Sequence, residues 1–254
     1  MITNILTLFL QAIAAGVFIS LGGFLFIGSK WLFTNFDSKY SEFGNVIGSC
    51  LFGVGLLLIC ITKMKLYTGK VGLLFEDTIT CSVIISLFIM LIGNLGSTIG
   101  VGIFVNWLMK TLKVNAYLNV NHKVASSKLK LSSIEDFVKC AIQSMLCGSC
   151  VHLGVRCFNM FNGNFKGKIL VIFCVFWFVY SGYQHCIANT FYFASSLIHD
   201  NNAYINVAIC VVGNMFGTIP ISLFTTKFNV LNRSSSLSTE ESDEPINVHK
   251  RDLV

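Results

Sequence analysis

Apolar residues run in six long blocks along this chain, near 6–28, 46–61, 79–108, 137–153, 169–197 and 204–224, with most charged residues gathered between them. Each block is close to the roughly 20 residues that a helix needs to cross a bilayer. The pattern predicts an all-α membrane protein with six transmembrane helices. Two blocks are irregular. The second is short and runs into the mixed stretch 62–70, while the fifth is long and carries SGYQHCIANTFYF, residues 181–193, in its middle. Histidine, glutamine and asparagine are costly to bury in hydrocarbon without partners. The second and fifth helices are therefore expected to be broken, with something polar passing beside the break.

Composition strengthens the membrane assignment: 54% of the 254 residues are hydrophobic and 12% charged, against roughly 25% charged in a soluble domain. The opening MITNILTLFLQAIAAG has no basic residue before its apolar run and no small-residue cleavage site, so a first span is expected there and not a removable signal. The ten cysteines lie mainly within the blocks and read as small packing residues. Cys147 and Cys150 form a CxxC without a second pair or a histidine cluster, too little for a zinc site. No disulfide, metal or other cofactor is expected.

The net charge of +6 sits in loops and at the ends of blocks, which suits small anions or acidic lipid and not nucleic acid. Lys110, Lys113, Lys123, Lys128 and Lys130 follow the third block, while Arg156, Lys166, Lys168, Lys227 and Arg233 follow the fourth and sixth. The positive-inside rule is thus nearly balanced; cytoplasmic termini and the plasma membrane are the expectation. A transmembrane domain is expected over 1–226. From 227 to 254 the chain turns to serine and acidic residues, the composition of a disordered tail.

Two stretches repeat. LIGNLGSTIGVGIF at 91–104 and VVGNMFGTIPISLF at 211–224 both set Gly-Asn ahead of a small-residue helix, which pairs Asn94 with Asn214. Upstream of each lies the irregular segment of its own half. Three spans followed by three more enter from opposite sides, so the repeat would be inverted, an arrangement that brings broken helices together near the midplane.

These residues resemble the formate/nitrite transporter family of anion channels and transporters. Leu66-Tyr67-Thr68-Gly69 looks like the family's Leu-Phe-Thr-Gly loop, and the stretch from Gly182 to Asn189 is similar to its Gly-aromatic-Glu-His-x-Ile-Ala-Asn. Gly93-Asn94 and Gly213-Asn214 match the two Gly-Asn sites. The resemblance implies an aquaporin-like fold of six spans in a 3+3 inverted repeat, assembled as a homopentamer with one pore per protomer. It makes His185 the central pore histidine, paired with Thr68 and supported by Asn189. Phe52, Leu56 and Phe178 fall at the apolar constrictions, Leu66, Tyr67 and Gly69 in the loop of the second helix, and Lys128 at the lysine that draws anions into the vestibule. Gln184, Lys63, Lys65 and Ser144 depart from the family pattern, which has Glu, Gly, an acidic residue and Asn there.

The chemistry follows from cost. A small anion entering hydrocarbon meets a Born penalty of about 20 kcal/mol, whereas a weak acid that has gained a proton does not. Histidine, with an ordinary pKa near 6.5, suits a site where protons and anions meet. Transport of formate, nitrite, acetate, lactate or hydrosulfide, pH-dependent or proton-coupled, is the leading expectation. A neutral-solute channel of aquaporin type is the alternative, although paired Asn-Pro-Ala signatures are missing. An enzyme is not expected, because few acidic residues lie in the spans to orient an imidazole. His152 lacks such a motif and is expected to pack or to face another protomer.

Overall fold

Helices satisfy their own backbone groups, as hydrocarbon requires. The computed structural model describes residues 2–75 and 79–224 and contains helices and turns, with no strand among those residues. The first two blocks become α1 (Ile2–Phe36) and α2 (Ser41–Thr62). Residues 63–66 leave the helix before a short α3 (Tyr67–Lys70), which tightens into a 3-10 turn over Val71–Phe75. The third block is α4 (Cys81–Thr111), followed by the connecting α5 (Asn115–Ser127) and then α6 (Ile134–Met160). The fifth block is divided into α7 (Phe165–Tyr180) and α8 (Cys186–Ser195). Last comes α9 (Asn201–Gly217), and helical geometry resumes after Thr218 through residue 224.

Among the described residues, five helices are long and apolar enough to cross a membrane: α1, α2, α4, α6, and α9 with its continuation. The fifth block is absent from that set because its interruption leaves pieces of 16 and 10 residues. Local sequence sets both interruptions. α2 stops where Lys63 adopts a left-handed conformation, φ 58°, with its N–H returned to the Ile59 carbonyl. α7 stops ahead of Gly182, φ 71°, which glycine reaches without strain, and the Tyr183 N–H then bonds back to Phe178 O at 2.9 Å. Several helices restart on side-chain caps: Thr80, Asn164 and Asp200 accept from Val83, Gly167 and Ala203, and Ser133 with Asp136 forms a reciprocal capping box.

α1 lies against α2 and α4, and α6 lies against α7 and α9; contacts of α2 with α7 and of α4 with α8 join the two groups. Close approach depends on small residues. Gly16 of α1 meets the backbone of Asn94, and Gly148 of α6 meets the backbone of Asn214, so a Cβ at either position would overlap its neighbour. Outward faces stay apolar, with Ile84, Phe88, Ile92, Phe173 and Trp177 exposed, as lipid or further copies of the chain would require. The tail expected over 227–254 lies outside the described residues, as do Glu76, Asp77 and Thr78.

Candidate functional site

Two buried asparagines hold the helix restarts in place. Asn94 Oδ1 accepts the N–H of Tyr67, the first residue of α3, at 2.8 Å, and its Nδ2 donates to Lys65 O at 3.0 Å and Ala12 O at 2.7 Å. Asn214 repeats the arrangement. Its Oδ1 accepts the N–H of Cys186, the first residue of α8, at 3.0 Å, and its Nδ2 donates to Gln184 O at 2.9 Å and Ser144 O at 2.7 Å. Each side chain thereby satisfies one orphan helix-end donor and one carbonyl of the break, Lys65 O or Gln184 O, and ties both to a mid-helix carbonyl of a neighbouring helix.

Between the restarts, His185 and Thr68 meet. The His185 Nε2 to Thr68 Oγ1 distance is 2.9 Å, and both residues are buried. His185 is also the N-cap of α8: its Nδ1 accepts the Ala188 N–H at 3.1 Å. An accepting Nδ1 carries no proton, so the network assigns the ring hydrogen to Nε2, which donates to Thr68 Oγ1. That leaves the threonine hydroxyl hydrogen available to another acceptor.

Aromatic rings close over the contact. Phe178 stacks on the His185 ring at 5.7 Å between centroids and 18° between planes, and Phe52 meets Phe178 edge-on at 5.9 Å and 80°. Leu56, one turn beyond Phe52 on α2, is buried as well. Leu66, Tyr67 and Gly69 pack around Thr68, with the Tyr67 hydroxyl donating to Val211 O at 3.3 Å. His152 lies elsewhere, buried beside Ser222 Oγ at 3.2 Å.

A cavity of about 240 Å³ lies against this waist, lined by Phe52, Phe178, His185 and Asn189 together with Lys30 and Lys128. Asn189 is fixed by donating to Gln184 Oε1 at 2.7 Å and Asn206 Oδ1 at 2.8 Å, while its own Oδ1 is buried without a donor among the described residues. Asn206 in turn donates to the Lys128 carbonyl at 2.9 Å, tying the cavity wall to α9. Lys128 itself sits at the end of α5, outside the long apolar helices, and its Nζ donates to Tyr183 O at 3.3 Å. Burial pushes its pKa below the ordinary lysine value of 10.5.

A second cavity, of about 250 Å³, is lined by Leu66 and Gly69 on either side of Thr68 and by Lys63, Lys65 and Lys70. The Lys65 N–H reaches Gln11 O of α1 at 3.4 Å, whereas the first cavity includes Lys30. From Gln11 to Lys30 along α1 is roughly 28 Å at about 1.5 Å per residue, close to the roughly 30 Å of a hydrocarbon core. The two cavities thus lie toward opposite ends of one span, with the waist between them.

The structure brings His185, Thr68, Asn189, Phe52, Phe178 and Lys128 into one neighbourhood, with Leu56, Leu66, Tyr67 and Gly69 packed beside it. Lys30 and Lys70 were not singled out from the sequence, because a lysine at the end of an apolar block also reads as a boundary. Nor were Asn94 and Asn214 legible as caps, since the repeat and the family resemblance drew attention to them without showing what they hold.

The chain can be compared with known proteins on this footing. It is 27% identical over 204 residues to Formate-nitrite transporter 3 of Toxoplasma gondii, a match covering 76% of this chain and 39% of that protein. This chain therefore spans well under half of that relative's length. It is 29% identical over 212 residues to the uncharacterized transporter YrhG of Bacillus subtilis, covering 80% of this chain and 77% of that protein. Among solved structures, it superposes on a pentameric formate channel with formate bound at a TM-score of 0.72 and 20% identity, over 91% of this chain and 98% of that one. An ion channel described as an FNT family member follows at a TM-score of 0.67 and 20% identity, over 91% of each chain. The fold is shared with both. The model of the formate/nitrite transporter family matches residues 1–227, and the chain, an integral membrane protein, belongs to that family of transporters.

Proposed function

We propose that the chain forms a pore for small monovalent weak-acid anions, with formate, nitrite, acetate, lactate and hydrosulfide as the substrate class and with His185 and Thr68 at its narrowest polar point. One observation carries this reading: a neutral histidine donating to a threonine under a phenylalanine lid, between two lysine-lined cavities near opposite ends of a span. A bare anion at that waist faces a Born cost of about 20 kcal/mol before relaxation. The lysines raise the local anion concentration, and the anion crosses once a proton has joined it. Asn189, in the wall of the first cavity, has an Oδ1 with no donor among the described residues, an acceptor for the acid's O–H if its side chain turns toward the cavity. Thr68, whose oxygen already accepts from His185, offers its hydrogen to the acid's carbonyl at the waist. Lys128 is the collecting charge.

The twin asparagine anchors support the architecture that goes with this function. α2 with α3, and α7 with α8, read as the broken second and fifth spans of a six-helix, 3+3 inverted repeat of aquaporin type. Assembly as a homopentamer, by analogy with the solved formate channel, gives each protomer its own pore. Plasma-membrane location with cytoplasmic termini completes the reading.

Flux into proteoliposomes, measured for a panel of these anions with internal pH recorded, tests the proposal. Internal pH is expected to fall as the anion enters. His185→Asn keeps an N-cap acceptor for Ala188 and should leave assembly intact, yet by removing the Nε2–H donor to Thr68 it should lower uptake of the acid, and unchanged uptake would count against the role of His185. Water or glycerol permeation without anion uptake would overturn the proposal in favour of a neutral-solute channel.

A further inference from the structure

The second cavity carries more positive charge than a monovalent substrate needs. Lys63 ends α2, Lys65 lies in the turn and Lys70 ends α3, and all three line the same space of about 250 Å³. No acidic side chain among the described residues lines it, and none of the three lysines is ion-paired among the described residues. Lys65 and Lys70 are near enough to repel one another. Like charges held together by the backbone are unfavourable unless a counter-charge joins them. Three ammonium groups bring up to nine donor hydrogens, and lysine is a common point-charge partner of phosphate.

We propose that this cavity binds a phosphate-bearing anion of two or more charges, seated among Lys63, Lys65 and Lys70. A monocarboxylate would neutralise only one of them. The same phosphate chemistry is offered by a free polyanion and by an acidic lipid headgroup. Leu66 and Gly69 lie in the cavity wall on either side of Thr68, so an occupant sits at one of the two mouths if the pore reading holds. The binding argument itself does not depend on which solute crosses.

The experiment measures the unfolding temperature of the full chain in phosphatidylcholine nanodiscs, with and without inorganic pyrophosphate, and in nanodiscs doped with phosphatidic acid. Binding to the folded state raises that temperature. A rise with pyrophosphate assigns the site to a free polyanion, and a rise only with phosphatidic acid assigns it to a headgroup. In either case the triple variant Lys63→Asn, Lys65→Gln, Lys70→Gln should bind about tenfold or more weakly, and added salt should weaken wild-type binding. Asparagine is used at Lys63 because it tolerates the left-handed backbone there. If the triple variant fails to insert, Lys63→Asn alone should still reduce the rise. No rise in any arm, or a rise unchanged in the variants, overturns the proposal. Neither result depends on formate flux, so the transport reading stands or falls separately.

Discussion

His185 performs two tasks with two nitrogens. Nδ1 caps α8 and Nε2 donates to Thr68, so a second proton on the ring has to displace the Ala188 N–H. In the proposed pore the ring therefore holds a fixed donor in place while the passing acid carries the proton. Lys128, in the same proposal, contributes differently, through its charge. Burial lowers its pKa from 10.5, so on raising the pH it loses its proton earlier than an exposed lysine and captures anions less well. Apparent affinity is expected to weaken toward alkaline pH in the wild type, and less so in Lys128→Arg, since arginine stays charged. Lys128→Ala should lower apparent affinity more than maximal rate. Flux titrations at several pH values and two salt concentrations check this, because capture by a field weakens with salt. At this scale the sequence revealed a good deal: a histidine inside an apolar block stands out against its neighbours. The links from Asn189 to Asn206 and from Asn206 to the Lys128 carbonyl did not, because they join α8, α9 and a loop far apart along the chain.

Helices end and restart after α2 and after α7, and the two asparagine anchors hold both restarts. Removing either asparagine side chain orphans a buried helix-end N–H and the carbonyl of the break, Lys65 O or Gln184 O, at about 1–3 kcal/mol for each unsatisfied group. Asn94→Ala and Asn214→Ala are each expected to lower thermal stability in detergent by a similar amount. A large loss in one and none in the other would contradict their equivalence. Block lengths predicted the long helices well, because a helix is the economical way for an unpaired segment to cross hydrocarbon. Boundaries were less legible. α1 runs on past the apolar block through Lys30 to Phe36, since helical geometry does not stop where hydrophobicity does. The break in the fifth block was readable from Gly182 and the polar run after it, whereas the end of α2 turned on a left-handed lysine, which no residue preference announces.

The whole molecule presents apolar residues outward along α4 and α7, more than a solitary soluble chain would carry. Five copies around a common axis are expected to cover part of that surface. Native mass measurement after gentle detergent extraction should give five times the mass of one chain, and a stable monomer would contradict the expectation. The likeness of the two Gly-Asn stretches was visible in the sequence, but the matching roles of Asn94 and Asn214 rest on contacts among residues 12, 65 and 94 and among 144, 184 and 214, which one linear string does not display.

The matched anchors support unlike furnishings. One cavity holds Lys30, Lys128 and an asparagine acceptor, the other three lysines on a tight turn. The proposed pore, with one scaffold and two different entrances, should carry its solute asymmetrically: under equal and opposite gradients, flux in one direction should saturate at a lower concentration than flux in the other.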